Sequence, residues 1–203
     1  MTITRTTPRR TPILPAALAA LVTLATIATP TAAAPPPRAA VERVLSAIEK
    51  MPSKTALLRL YGPDFEKTLQ AIVTTPSRAV LARVRALTTL RYFPTARTRE
   101  LLRAEIAHTK GAKNGLPLVY LGQALRSYAI VAGPKALPTI VPLFVHPSID
   151  IRVAVGEALR LSHTPTARTL IAARAKHDPS ATVRAELSHQ LALIDRAISK
   201  RHP

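Results

Sequence analysis

The chain has 203 residues, 47% of them apolar but only 3% aromatic, and its formal net charge is +18. It contains no Cys, which excludes disulfides, thiol catalysis and thiolate metal sites. A charge this large favours anionic partners, although a composition rich in Ala, Arg and Pro is also typical of a GC-rich genome.

The first 33 residues have the three-part layout of a secretory signal peptide. Arg5, Arg9 and Arg10 precede an apolar run over residues 13–28, and small residues follow as far as Ala33. The pattern predicts cleavage after Ala33 and export to the periplasm or the cell exterior, the alternative being an uncleaved N-terminal membrane anchor. Cleavage removes three Arg and no acid, which lowers the net charge from +18 to +15.

A leader and two short helices come next in the chain. Residues 34–38 read Ala-Pro-Pro-Pro-Arg and should be extended. Segment 39–62 is predicted to hold N-terminal capping helices at 40–51 and 54–61, ahead of a repeat domain at 63–203. We expect no stable transmembrane span once the signal peptide is removed.

An unchanged pentapeptide indicates internal repetition. The sequence Pro-Thr-Ala-Arg-Thr occurs at residues 94–98 and again at 165–169, an offset close to two units of about 35 residues. Periods of 20–50 residues are the signature of stacked repeats. Because Gly is rare and alternating strand patterns are absent, while Ala, Leu and Arg are strong helix formers, we predict an all-α fold.

Four units align through their second helices. Each has an apolar residue, followed three positions later by two adjacent residues of which the second is Leu. Side chains at this spacing lie on one face of a helix, which we expect to be buried. The apolar residues are Ala86, Leu121, Val155 and Leu187, and the pairs are Thr89-Leu90, Ala124-Leu125, Ala158-Leu159 and Gln190-Leu191. The predicted helix pairs are 64–74 with 78–92, 95–109 with 115–131, 135–145 with 148–162, and 166–177 with 180–197.

The last two units share a further motif. Asp-Pro precedes Val-Arg at residues 178–184, and His-Pro precedes Ile-Arg at 146–152. Asp178 suits a helix N-cap and Pro179 the first helical residue. This order resembles the HEAT repeat in its short bacterial form, over roughly residues 63–198. The resemblance implies an α-solenoid of about four HEAT-like helix pairs and a non-catalytic role as an interaction or scaffold protein.

Arg83, Arg152 and Arg184 occupy one equivalent position in three units. The resemblance implies a structural ladder, in which each such Arg pairs with an Asp near the start of the same or the neighbouring second helix. Asp178 stands six residues before Arg184, whereas the equivalent residues of the other two units are His146 and Ser77. The alternative interpretation is that these Arg side chains contact a ligand.

A second group of Arg residues lies between residues 78 and 103, where Glu100 and, just beyond, Glu105 are the nearby acids. The planar fork of Arg binds phosphate and carboxylate through two hydrogen bonds. We therefore predict an anion-binding strip, the alternative being ordinary solvated helix faces. Its predicted members are Arg78, Arg85, Arg91, Arg97, Arg99 and Arg103.

No catalytic, cofactor or metal site is predicted. The sequence has no Gly-rich phosphate loop and no Ser nucleophile motif, and its six His form no His-Glu-x-x-His pattern. The expected partner is a protein or an anionic polymer of the cell envelope, and no oligomeric state is predicted. Nucleic acid is the alternative partner; the charge favours it, while the signal peptide and the scarcity of aromatic residues oppose it.

Overall fold

The computed structural model describes residues 37–47, 52–75 and 79–199, all within the compact unit Ala33–Pro203. The predicted signal peptide, residues 34–36 of the leader, and Arg78 lie outside the described residues.

Every regular element in the described part of the chain is helical, which confirms the all-α prediction. Short 3₁₀ segments span Leu90–Tyr92, Gly133–Ala136 and Val141–Val145. The α-helices are α1 (Arg38–Ala47), α2 (Lys54–Tyr61), α3 (Phe65–Thr74), α4 (Val80–Thr89), α5 (Ala96–Thr109), α6 (Leu116–Ala132), α7 (Leu137–Ile140), α8 (Ile149–Leu161), α9 (Pro165–His177) and α10 (Ala181–Ser199).

The two copies of the pentapeptide begin their helices in different registers. In the first copy Thr95 is the N-cap of α5, and its Oγ1 accepts the N–H of Thr98 at 3.1 Å. In the second copy Thr164, the residue before the pentapeptide, is the N-cap, and Pro165 is the first residue of α9. Pro is tolerated there because the first N–H groups of a helix have no partner within it.

The predicted helix at 135–145 is instead three short segments. Gly133–Ala136 and Val141–Val145 are 3₁₀ turns on either side of the four-residue α7. Pro134, Pro138 and Pro142 each stand in the first two positions of one segment. Since Pro removes a backbone donor and clashes with the preceding turn, three of them at four-residue spacing prevent a continuous helix.

Successive second helices of the predicted units pack on one another. Helix α4 contacts α6, α6 contacts α8, and α8 contacts α10, while α3, α5 and α9 contact α4, α6 and α10 respectively. At the N-terminal end, α1 packs on α3 and α4.

The aligned apolar positions of the second helices form the core. Ala86, Leu121, Val155 and Leu187 are fully buried, as are Leu90, Leu125 and Leu159. Gly156 lets α8 and α10 approach closely, because a Cβ at this residue would lie 2.1 Å from Leu187 Cδ2. The prediction that Leu191 is buried like Leu159 is wrong: Leu191 is half-buried, because no further second helix packs on α10 within the described residues.

One stretch of the described residues, Leu116–Val145, is long and apolar enough to cross a membrane by length and composition alone, with a mean hydropathy of 1.5. A helix at the centre of a folded core meets the same criteria, so this observation is weak evidence for a span. Helix α6, which forms its first part, contacts α4, α5 and α8.

Candidate functional site

Asp178 is the centre of a buried ion-pair cluster between α8 and the turn before α10. Its side chain is fully buried, and both carboxylate oxygens accept hydrogen bonds from Arg152, at 2.9 Å from Nε and 3.1 Å from Nη2. Arg174 Nε adds a third bond at 2.8 Å, and the backbone N–H of Ser180 a fourth at 2.9 Å. The carboxylate therefore links α8 and α9 to the start of α10.

Burial by itself would raise the pKa of Asp178, because it disfavours the charged form. The hydrogen bonds from Arg152, Ser180 and Arg174 and the charge of Arg152 outweigh this effect, so the pKa of Asp178 lies below its ordinary value of 3.8. The folded protein thus holds this carboxylate in its ionised form.

Arg184 does not bind the carboxylate of Asp178; its Nη1 donates instead to the backbone oxygen of Asp178 at 2.7 Å. Arg152 makes the equivalent bond, from Nη1 to the backbone oxygen of His146 at 2.9 Å. Arg152 and Arg184 therefore share a bond to the backbone six residues earlier. The carboxylate pairs with the Arg of the neighbouring second helix.

Asp178 is also not the N-cap of α10. The helix begins at Ala181, and Ser180 Oγ accepts the N–H of Val183 at 3.4 Å, so Pro179 lies outside the helix. Ser180 is therefore the residue that caps α10, while the oxygens of Asp178 bind the two Arg side chains and the N–H of Ser180. In the preceding unit His146 Nδ1 accepts the N–H of Ser148 at 3.1 Å, in the same geometry.

Arg83, the first member of the predicted ladder, lies on α4 and pairs with α5. Its Nη2 donates to both carboxylate oxygens of Glu105, at 3.0 and 3.1 Å. Its guanidinium carbon lies 4.4 Å from the ring centroid of Tyr120, close enough for a cation–π contact. Among the described residues, its buried Nε has no hydrogen-bond partner.

The described members of the predicted anion-binding strip are divided among several places. Arg85 Nη1 donates to the Leu45 backbone oxygen at 2.6 Å and so ties α4 to α1. Arg91 Nη2 donates to the hydroxyl of Tyr92 at 3.2 Å.

The other three members are on two sides of α5. Arg97 is exposed and lines a groove against α3, beside Lys67. Arg99 and Arg103 line a separate groove with Lys135, and Arg99 Nη1 donates to the Pro94 backbone oxygen at 2.7 Å. The predicted strip is therefore not one convergent site.

In three of the four units an Arg directly follows the Leu of the aligned pair. These three Arg residues were not identified as a group from the sequence. Arg91, Arg126 and Arg160 directly follow Leu90, Leu125 and Leu159. Extending the alignment of the units by one residue identifies this set. All three side chains are half-buried.

Two members of this set are held by the next second helix. Arg126 Nε donates to Glu157 on α8, and Arg160 Nε donates to Gln190 on α10 at 2.6 Å. Among the described residues, the terminal nitrogens of Arg126 and Arg160 donate to no acceptor. Each guanidinium is thus fixed through Nε while its two terminal nitrogens stay available.

A Val stands seven residues before each Arg: Val84, Val119 and Val153. Arg126 and Arg160 lie on the same α-helix as their Val, whereas Arg91 lies on the 3₁₀ turn that continues α4. Within an α-helix seven residues are two turns, or about 10.5 Å, so Val and Arg lie on one helix face in α6 and in α8. Val119 is 46% exposed, and Val84 and Val153 are half-buried. We call the surface formed by these three Val and the three Arg residues the Val–Arg face.

A cavity of about 500 Å³ lies where the end of α8, the start of α9 and the last turns of α10 meet. Its apolar lining includes Leu159, Ala167 and Ile194, and its basic lining consists of Arg160, His163 and Arg168. His163 has a φ of +53°, a left-handed conformation that is uncommon for residues other than Gly. The second copy of the pentapeptide forms one wall.

Within the described residues, no group of three or more His, Asp or Glu side chains could hold a metal ion. In comparisons with known proteins, no protein-family model, no curated protein and no solved structure matches the chain.

Proposed function

We propose that the mature chain is an exported, non-catalytic interaction protein, built as an α-solenoid of HEAT-like helix pairs. In this proposal the Val–Arg face binds an acidic, amphipathic segment of a partner protein. The packing of α4, α6, α8 and α10 in sequence order, with equivalent residues buried in each, supports the solenoid. The Asp-Pro and Val-Arg motif supports the HEAT-like assignment.

The observation that carries this proposal is the state of Arg126 and Arg160. Each is fixed by a hydrogen bond from Nε to a neighbouring helix, and its terminal nitrogens have no acceptor among the residues that the structure describes. Fixing a long side chain in advance reduces the conformational entropy lost on binding. A carboxylate can then accept both terminal N–H groups in the geometry that Arg favours.

The neighbouring Val residues favour a polypeptide over a purely polar polymer. Packed helices are about 8–10 Å apart, so the three second helices present parallel lines of Val and Arg side chains. An amphipathic segment can place apolar residues on the line of Val and carboxylates on the line of Arg. A strongly charged polysaccharide offers no apolar surface to Val119, which is 46% exposed.

The binding test uses a fluorescent peptide of alternating Glu and Leu blocks and labelled polyglutamate of equal charge. We expect the peptide to bind the chain more tightly than polyglutamate, and both affinities to fall with salt because exposed charges are screened beyond about 8 Å. Replacing Arg91 and Arg126 by Gln should weaken binding roughly tenfold or more, since hydrogen bonds to charged groups are the strong ones.

The matched control replaces Arg97 and Arg103, both exposed on α5, by Gln and removes the same charge. We expect it to change the affinity for the peptide little. Equal losses for the two double variants would mean that net charge alone drives binding and would refute a specific face. Tighter binding of duplex DNA than of the peptide would instead favour the nucleic-acid alternative.

Export is tested separately, with a C-terminally tagged full-length chain in a bacterial host. We expect the tagged protein outside the cytosol, with Ala34 as its first residue by N-terminal sequencing, because small residues precede this position. Recovery in the membrane fraction with the N-terminus retained would support the anchored alternative. A cytosolic product that still begins at Met1 or Thr2 would contradict export.

A further inference from the structure

The cavity between α8, α9 and α10 has the size and lining of a small-molecule site. Its volume of about 500 Å³ falls within the range of roughly 300–1,000 Å³ that is usual for ligand pockets. Leu193 and Ile194 are half-buried on its α10 side and supply its accessible apolar surface, whereas Leu159 and Ala167 lie behind that surface and are fully buried. Such pockets combine apolar walls with a few polar groups that orient the ligand.

The two permanently charged residues that line the cavity, Arg160 and Arg168, are both basic. Arg160 donates a hydrogen bond from Nε to Gln190, which fixes its position. Its terminal nitrogens have no acceptor within the described part of the chain. Arg168 is bound by Asp195, with Nε at 2.8 Å from Oδ1 and Nη2 at 3.2 Å from Oδ2. The hydrogen bond from Arg168 also lowers the pKa of Asp195, which is not part of the lining.

We propose that this cavity binds a small amphipathic carboxylate, such as an acyl chain with one carboxyl group. The carboxylate pairs with the terminal nitrogens of Arg160, and the chain packs on Leu193 and Ile194. Arg168 is a second cation at the rim, partly neutralised by Asp195. This inference goes beyond the protein-binding function and does not depend on it, because the cavity shares only Arg160 with the Val–Arg face.

The test uses dodecanoate, at concentrations below micelle formation, titrated into the full mature chain by calorimetry. We expect saturable binding at one site, and at least tenfold weaker binding of dodecanol, which has the same chain but no charge. Arg160→Gln should weaken dodecanoate binding by roughly tenfold. Lys176→Gln, an exposed position on α9 that lines no part of the cavity, should leave the affinity unchanged.

Asp195→Asn distinguishes this site from general attraction and from unfolding. This substitution removes the negative charge that pairs with Arg168. We therefore expect dodecanoate to bind several-fold more tightly, while the circular dichroism spectrum stays that of the wild type. Absence of saturable binding, equal affinity for dodecanol, or an unchanged affinity in a folded Arg160→Gln variant would each overturn the proposal. Weaker binding in Asp195→Asn would also overturn it.

Discussion

Replacing Asp178 by Ala should destabilise the chain by about 3–5 kcal/mol, the loss typical of removing one partner from a buried ion pair. Its side chain is fully buried, and that of Arg152 is 8% exposed. Without the carboxylate, Arg152 remains a buried charge with only backbone oxygens as acceptors. Urea unfolding followed by circular dichroism measures the loss, with an unchanged m-value as the check on the two-state assumption.

The matched control is Asp195→Ala. Asp195 also pairs with an Arg, Arg168, through two hydrogen bonds, but both of these side chains are half exposed to solvent. Ion pairs at the surface contribute little to stability, so the unfolding free energy of this variant should be close to that of the wild type. Similar losses at Asp178 and Asp195 would contradict the central role of the buried cluster.

The contribution of Asp178 should also depend on pH in a definite direction. Because the pKa of Asp178 is lowered in the folded protein, the unfolded chain takes up a proton first as the pH falls. The stability due to this carboxylate is fully present above its ordinary pKa of 3.8 and is lost as the pH falls through the folded value. The difference in unfolding free energy between wild type and Asp178→Asn should therefore shrink below about pH 4.

Leu159→Ala should cost about 2–5 kcal/mol, as deletions of fully buried Leu side chains do. Leu159 packs in the row of second helices and has no exposed surface. The equivalent Leu191 is half-buried on α10, so Leu191→Ala should cost clearly less in the same urea experiment. Losses below about 1 kcal/mol at Leu159, or a larger loss at Leu191, would mean that the alignment of the units is wrong.

The positions of the helices were largely predictable from the sequence. Apolar residues at helical spacing, interrupted by Pro and capping residues, indicated α5, α6, α8 and α9 to within a few residues of their observed ends. Helix formation in these segments depends on local spacing, which a single sequence displays. The prediction failed at 135–145, where three Pro residues outweighed the apolar pattern.

The candidate site was predictable only in part. The Arg that follows three of the four aligned Leu residues is visible in the sequence, as is the Val seven residues earlier. The sequence does not show that the terminal nitrogens of Arg126 and Arg160 remain unbonded to any other described residue. That depends on tertiary packing, which places Glu157 and Gln190 of the neighbouring helices where they accept hydrogen bonds from Nε.

The sequence by itself therefore determined the helical class and most of the residues that are buried on α4, α6 and α8. Only the tertiary structure decided that Asp178 pairs with Arg152, 26 residues away, while Arg184 binds the backbone. It also divided the Arg residues of α5 between two grooves and left Leu191 half-buried. The physical reason is that apolar periodicity is a property of one helix, whereas the partner of a charge and the burial of a last helix depend on how helices are staggered against one another.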